Sequence, residues 1–301
     1  MSSTQLKCGM SLRRVLHWLG GGLALAGVLF VGFRLHSYGL ALDFSKVARS
    51  GWYVIAGLAI VYGSANLLLA QAWWLLLGHF SADTPRFGAV KLYGMSQLAK
   101  YVPGNIFHLA GRQALGMAAG IATTALAKSM VYELGLIAVA GALSGWLILP
   151  RLLPGFPFTA GIVLALISGA TLVALLRRLG GKRMALAFLM QVMFLLVSGA
   201  IFVALLELIG GTETLSAWSW LTIGSAYIFA WLVGLVTPGA PAGVGVREFI
   251  LLFFLNEMVT DESLLMAVLL GRLVTVAGDL YFFTAAAFIP QKCCATESEH
   301  V

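Results

Sequence analysis

Seven charged residues interrupt otherwise apolar stretches of this 301-residue sequence: the cations Arg112, Lys128, Arg247 and Arg272, and the acids Glu133, Glu248 and Asp279. An ionised side chain within an apolar helix is costly, so each should face an opposite charge, water or a ligand. A guanidinium presents a planar fork of donors that matches a phosphate or carboxylate in two places at once, which makes these arginines candidates for holding an anionic headgroup. The acids would then balance the cations in the empty state or gate access to them. The competing reading is a lock, in which interhelical pairs such as Arg272 with Glu133, or Arg112 with Asp279, fix the bundle without any ligand.

Spacing adds detail. Arg272 and Asp279 are seven residues apart, two helical turns, so they share a face with roughly 10 Å of rise between them and could line one cavity. Lys128 and Glu133 are five apart, diverge by about 140° around an axis and should address different neighbours. Arg112 follows Pro103-Gly104, and Arg247 follows Pro238-Gly239, by the same nine residues, so both pairs are offset by 135. Pro241, Gly243 and Gly245 extend the second break. Proline removes a backbone donor and glycine relaxes the chain, so these residues are expected as hinges between short helices. Arg112 and Arg247 would each begin a short helix, where free amides and a guanidinium together suit a phosphate. Glu248 would balance Arg247.

The elements that must position these groups are membrane helices. Of the residues, 60% are hydrophobic and 10% charged, with a mean hydropathy of +0.94, more apolar surface than a water-soluble domain of this size could hide. Seven stretches are long enough to cross a hydrocarbon core of about 30 Å. They are Val15–Leu35, Trp52–Gly78, Thr123–Leu149, Phe158–Leu176, Met184–Ile209, Trp218–Val236 and Ser263–Ile289. Two further stretches, Lys91–Ile121 and Leu235–Glu257, hold the breaks. The expected fold is all-α, a polytopic bundle of seven or eight spans with two broken, re-entrant segments. The shared 135-residue offset suggests a single membrane domain built as an inverted repeat, with halves 13–150 and 157–290 and short tails 1–12 and 291–301. Buried cations followed by acids, Lys128 with Glu133 and Arg272 with Asp279, end each half.

A net charge of +7 would suggest nucleic acid in a soluble chain, but here cations gather in short loops, where they set orientation. Arg177, Arg178, Lys182 and Arg183 should be cytoplasmic, and counting back places the N-terminus there too, as a retained first span. Arg34, Lys46 and Arg49 run against this count. Asn66, Gln71 and Gln191 are expected as interhelical donors, His17 and His108 as packing residues, and Trp73, Trp74, Trp218 and Trp220 as interfacial anchors. Cys8, Cys293 and Cys294 form no disulfide or ligand framework. No nucleophile elbow, Walker loop, zinc pattern or dinucleotide fingerprint is present, so no catalytic residue, metal or cofactor is expected and the chain does not read as an enzyme.

The stretches LAKYVPGNIFHLAGR at Leu98–Arg112 and TPGAPAGVGVREFILL at Thr237–Leu252, with GRL at Gly271–Leu273, resemble the lysylphosphatidylglycerol synthase transmembrane (flippase-like domain) family. The resemblance extends over nearly the whole chain. It implies translocation of an anionic phospholipid or a polyprenyl-phosphate-linked intermediate between leaflets of a prokaryotic cytoplasmic (inner) membrane. The soluble aminoacyl-transferase domain of the synthases has no counterpart in these residues, so synthase activity is not expected. Two other readings stay open: a scaffold that presents lipid to a separate membrane glycosyltransferase or synthase, and an ion-coupled carrier of a small anion.

Overall fold

The computed structural model describes residues 49–102, 107–210, 217–237 and 245–290. Among these residues there is no strand, and the secondary structure is helical throughout. The helices are α1 (Arg49–His79), α2 (Arg86–Gln97), a 3-10 turn (Leu98–Tyr101), α3 (Phe107–Ala118), α4 (Thr123–Leu143), α5 (Gly145–Leu152), α6 (Phe158–Leu208), α7 (Ala217–Val236), α8 (Val246–Leu255) and α9 (Asp261–Ala287).

Five segments are long and apolar enough to cross a membrane: α1, α4 with α5, α6, α7 and α9. Seven were expected from sequence, and the difference has two sources. Val15–Leu35 lies outside the described residues, and Phe158–Leu176 and Met184–Ile209 are joined in the 51-residue α6. Within α6 the two expected stretches stay distinct helices that meet at a kink: Gly181, at a non-helical φ of 78°, lies between the cation pairs Arg177–Arg178 and Lys182–Arg183, so the expected basic loop is shortened to a one-residue break.

The bundle is built around α1, which packs on α6, α9, α2 and α4. Small residues set the closest approach. A Cβ on Gly63 of α1 would come within 2.5 Å of the Gly278 carbonyl oxygen on α9, and one on Gly278 within 2.6 Å of the Ala59 oxygen. Glycine at both positions lets the two backbones touch, which is how helices gain packing area where lipid supplies no hydrophobic drive. Around that contact Trp73, Leu76, Leu77, Leu126, Phe188, Leu205 and Val274 form the main apolar core. The start of α9 is fixed locally: the Thr260 hydroxyl accepts the Ser263 amide, and Asp261 and Glu262 lie in the first turn, where negative charge suits the helix dipole.

Candidate functional site

Two short helices and the 3-10 turn bring charges against the long helices, and three ion pairs result, each with at least one buried partner. In the first, Arg112 of α3 meets Glu133 of α4. Its Nη1 donates to Oε1 at 3.1 Å, and Nη2 lies 2.7 Å from Oε2 as a close ion contact. The guanidinium sits 4.4 Å from the Tyr93 ring centre and 5.0 Å from that of Trp73. The Tyr93 hydroxyl also donates to Glu133 Oε1 at 3.0 Å, Trp73 donates to Ser129 at 3.1 Å, and Gln191 donates to the Glu133 carbonyl at 3.0 Å. Aromatic faces and donors thus enclose the pair, and Arg112 and Glu133 are only 4% and 6% exposed.

In the second pair, Arg272 of α9 meets Glu248 of α8. Arginine Nε and Nη2 both donate to Glu248 Oε1, at 3.1 and 2.6 Å. The other carboxylate oxygen accepts the Gly245 amide at 2.8 Å, so Glu248 reaches back over the start of its own helix as a capping acid does. Gly245 has a φ of 85°, a left-handed conformation that glycine adopts without strain, and this turn starts α8. The Glu248 side chain remains 21% accessible, against 7% for Arg272. Arg247 lies 5.7 Å from the ring centre of Tyr227 on α7 and within electrostatic reach of Tyr62 on α1.

The third group surrounds Asp279, which is fully buried on α9. Lys100 Nζ is 2.7 Å from Oδ2, the Tyr101 hydroxyl donates to the same oxygen, and Asn66 and Gln97 donate to Oδ1 at 3.1 and 3.3 Å.

These positions sort the residues predicted from sequence. Glu133, Arg112, Arg272 and Asp279 are buried as expected, Lys128 and Glu133 face different neighbours, and Asn66 and Gln191 do make interhelical hydrogen bonds. Neither of the pairings anticipated for a lock forms: Arg112 takes Glu133, and Arg272 takes Glu248, which had been assigned to Arg247.

Three further expectations are corrected. Lys128 is exposed, with its ammonium 5.9 Å from the Phe80 ring centre, because α4 turns that face away from the bundle. Arg112 is the sixth residue of α3, beyond the first turn where amides are free, whereas Arg247 is the second of α8. Trp73 is 1% exposed and packs in the core, since α1 runs on to His79 and buries it against α4. Trp218 and Trp220 are exposed near the start of α7. The hinge residues Pro103, Gly104, Pro238, Gly239, Pro241 and Gly243 lie outside the described residues.

Sequence reasoning missed Lys100, Tyr93 and Tyr101. Lys100 was the most findable, as a lone cation between Leu98 and Val102 in a chain where Asp279 needed a partner.

No protein-family model matches the chain, and no curated protein matches it.

His108 belongs to α3, which is too short to span a bilayer. Burial, helped by Arg112 and then Lys100, pushes its imidazole down to about 3, so it is neutral over the physiological range. Two surface grooves, of about 480 and 440 Å³, are lined by Arg151, Phe158 and Trp218 and by Asp83, Lys91 and Ile121 respectively; neither is lined by Arg112, Arg247 or Arg272.

Proposed function

We propose that this chain is a membrane lipid-handling protein that moves an anionic phospholipid, or a phosphate-bearing lipid-linked intermediate, between leaflets of the cytoplasmic membrane. The observation that carries the reading is the double occupation of Glu248. One carboxylate oxygen is held by Arg272 and the other by the Gly245 amide, while the side chain keeps contact with its surroundings. A headgroup phosphate offers the same two acceptors. It can displace Glu248 from Arg272 and the amide, exchanging one anion for another without leaving a guanidinium unpaired. Arg247, at the start of the same helix, adds a second cation.

This reading assigns the two halves different tasks. The enclosed Arg112–Glu133 pair holds α3 on α4, and the α8–α9 pair receives the ligand. It also includes the finer architecture: two Pro/Gly-broken segments in an inverted repeat, with seven or eight crossings. The described helices support that plan, because a shift of 135 residues carries α1, α2, α3 and α4 onto the second part of α6, α7, α8 and α9. The break at Gly181 leaves a stretch on each side that suffices for a crossing, which supports counting α6 as two spans. The motif resemblance of Thr237–Leu252 agrees with a lipid substrate.

Purified protein in liposomes tests the activity. A fluorescent short-chain anionic phospholipid should change leaflet without added partners, and Arg247→Ala and Arg272→Ala should each abolish that movement while expression persists. Normal exchange by both variants refutes the assignment. Absence of movement by the unmodified protein favours the scaffold.

A further inference from the structure

Asp279 holds more donors than a structural salt bridge needs, and they come from separate elements. Asn66 belongs to α1, Gln97 to α2, and Lys100 and Tyr101 to the 3-10 turn. Gln97 also donates to Asn66 Oδ1 at 3.2 Å, so the two amides are held relative to each other. Of the other charged or titratable groups, Tyr62 of α1 is within electrostatic reach of Asp279 and Arg247 within reach of Tyr62, and His108 of α3 is within reach of Lys100. On α2, with Arg86, Lys91 donates to the Ile289 carbonyl and Tyr93 to Glu133, and Arg272 lies two turns away on α9, paired with Glu248. On α6 the ionisable side chains are the exposed cations at its break and the exposed Glu207. Lys100 is therefore the cation placed in contact with Asp279.

The two partners differ in their access to water. The Lys100 side chain is 22% accessible and that of Asp279 is 0%. The turn that carries Lys100 has four residues, and its apolar hold is a small satellite cluster in which Leu98 and Tyr101 pack with Val276, Leu280 and Phe283. The lysine can leave for solvent and keep its charge. The carboxylate cannot follow, and it would keep the Asn66 and Gln97 amides but lose its cation within the helix bundle, so departure of Lys100 favours the neutral form of Asp279.

We propose that Asp279 is a proton-binding site in which H⁺ and the Lys100 ammonium exchange, so that release of the Leu98–Tyr101 turn from α9 takes up one proton. The step balances simply. A proton from the aqueous phase joins the carboxylate to give the neutral acid, Lys100 keeps its own proton as it moves outward, and no other bond changes. The inference goes beyond the lipid reading and does not depend on it, since the exchange involves no cargo. It gives the protein a means of coupling motion beside the first break to proton movement.

Hydrogen exchange on the full chain in lipid nanodiscs tests this. The readout is the protection factor of the amides from Leu98 to Val102, which corrects for the intrinsic pH dependence of exchange. If each opening takes up one proton, protection falls about tenfold for each pH unit the solution is acidified. Asp279→Asn, which mimics the neutral acid, should give low protection independent of pH while α6 stays protected. Lys100→Arg, which keeps the pair, should retain the slope. Protection of the wild-type turn that does not vary with pH overturns the proposal, as does a folded Asp279→Asn protein that keeps the wild-type slope. If Asp279→Asn does not fold, the wild-type slope and its retention in Lys100→Arg decide the matter.

Discussion

Arg112 with Glu133 and Arg272 with Glu248 join the same side-chain types across the same kind of step, from a short helix to the long helix after it, with the polarity exchanged. Their surroundings differ. Tyr93 and Trp73 close over the first pair, Gln191 holds the backbone behind it, and both partners are almost fully buried. On the acid side of the second, the amide of Gly245 donates to Glu248, and Glu248 keeps a fifth of its side chain accessible. A buried ion pair is a lock when both partners are enclosed and an exchangeable site when one of them can turn outward. What decides the role is the set of groups behind the carboxylate.

The sharpest way to break the comparison is to remove one partner from each pair. Glu133→Ala leaves the Arg112 guanidinium buried and uncompensated, which should cost about 3–5 kcal/mol of stability, read as a large drop in thermal unfolding temperature in detergent. Arg272→Ala should cost about 1–2 kcal/mol, because Glu248 can turn towards water and still cap α8. Equal losses would remove the distinction between lock and site. The double substitution Arg112→Met with Glu133→Leu sharpens it further, recovering most of the stability lost by Glu133→Ala, since apolar side chains of similar volume replace such a pair at little cost.

Smaller effects probe the enclosure. Trp73→Phe removes the hydrogen bond to Ser129 and weakens the aromatic face beneath Arg112, and should cost about 1–2 kcal/mol in the same unfolding assay with lipid movement unchanged. His108 is the smallest case. Its folded-state imidazole titrates near 3, well below the unfolded value of about 6.5, so the unfolded chain binds the extra proton between those limits. Stability then falls as pH is lowered below about 6.5, by up to about 1.4 kcal/mol per unit. His108→Gln should remove that part of the slope in unfolding measured against pH.

The fold was legible wherever length and local chemistry decide. Span boundaries at α1, α7 and α9 follow from uninterrupted apolar runs, and the divergence of Lys128 from Glu133 follows from helical period alone. Partner choice was not legible. That Glu248 reaches Arg272, and Arg112 reaches Glu133, depends on how α8 and α3 lie against their neighbours, which no spacing within one helix encodes. Trp73 was misplaced for the same reason: an aromatic near the end of an apolar run reads as an anchor until another helix covers it. The shortness of the turn inside α6 was not legible, because one glycine in a positive-φ conformation breaks the helix where the basic residues suggested a longer loop. Lys100 shows the converse, a residue passed over because its partner lies 179 positions away.

The central claim is that anionic headgroups bind by taking the place of Glu248 on Arg272, and calorimetric titration of the purified protein with short-chain phosphatidylglycerol tests it most directly. The account predicts that Arg272→Lys, which loses the planar fork, binds at least about tenfold more weakly than the wild type, whereas Arg112→Lys binds as the wild type does. Equal affinity of the wild type and Arg272→Lys, or a loss confined to Arg112→Lys, would contradict it.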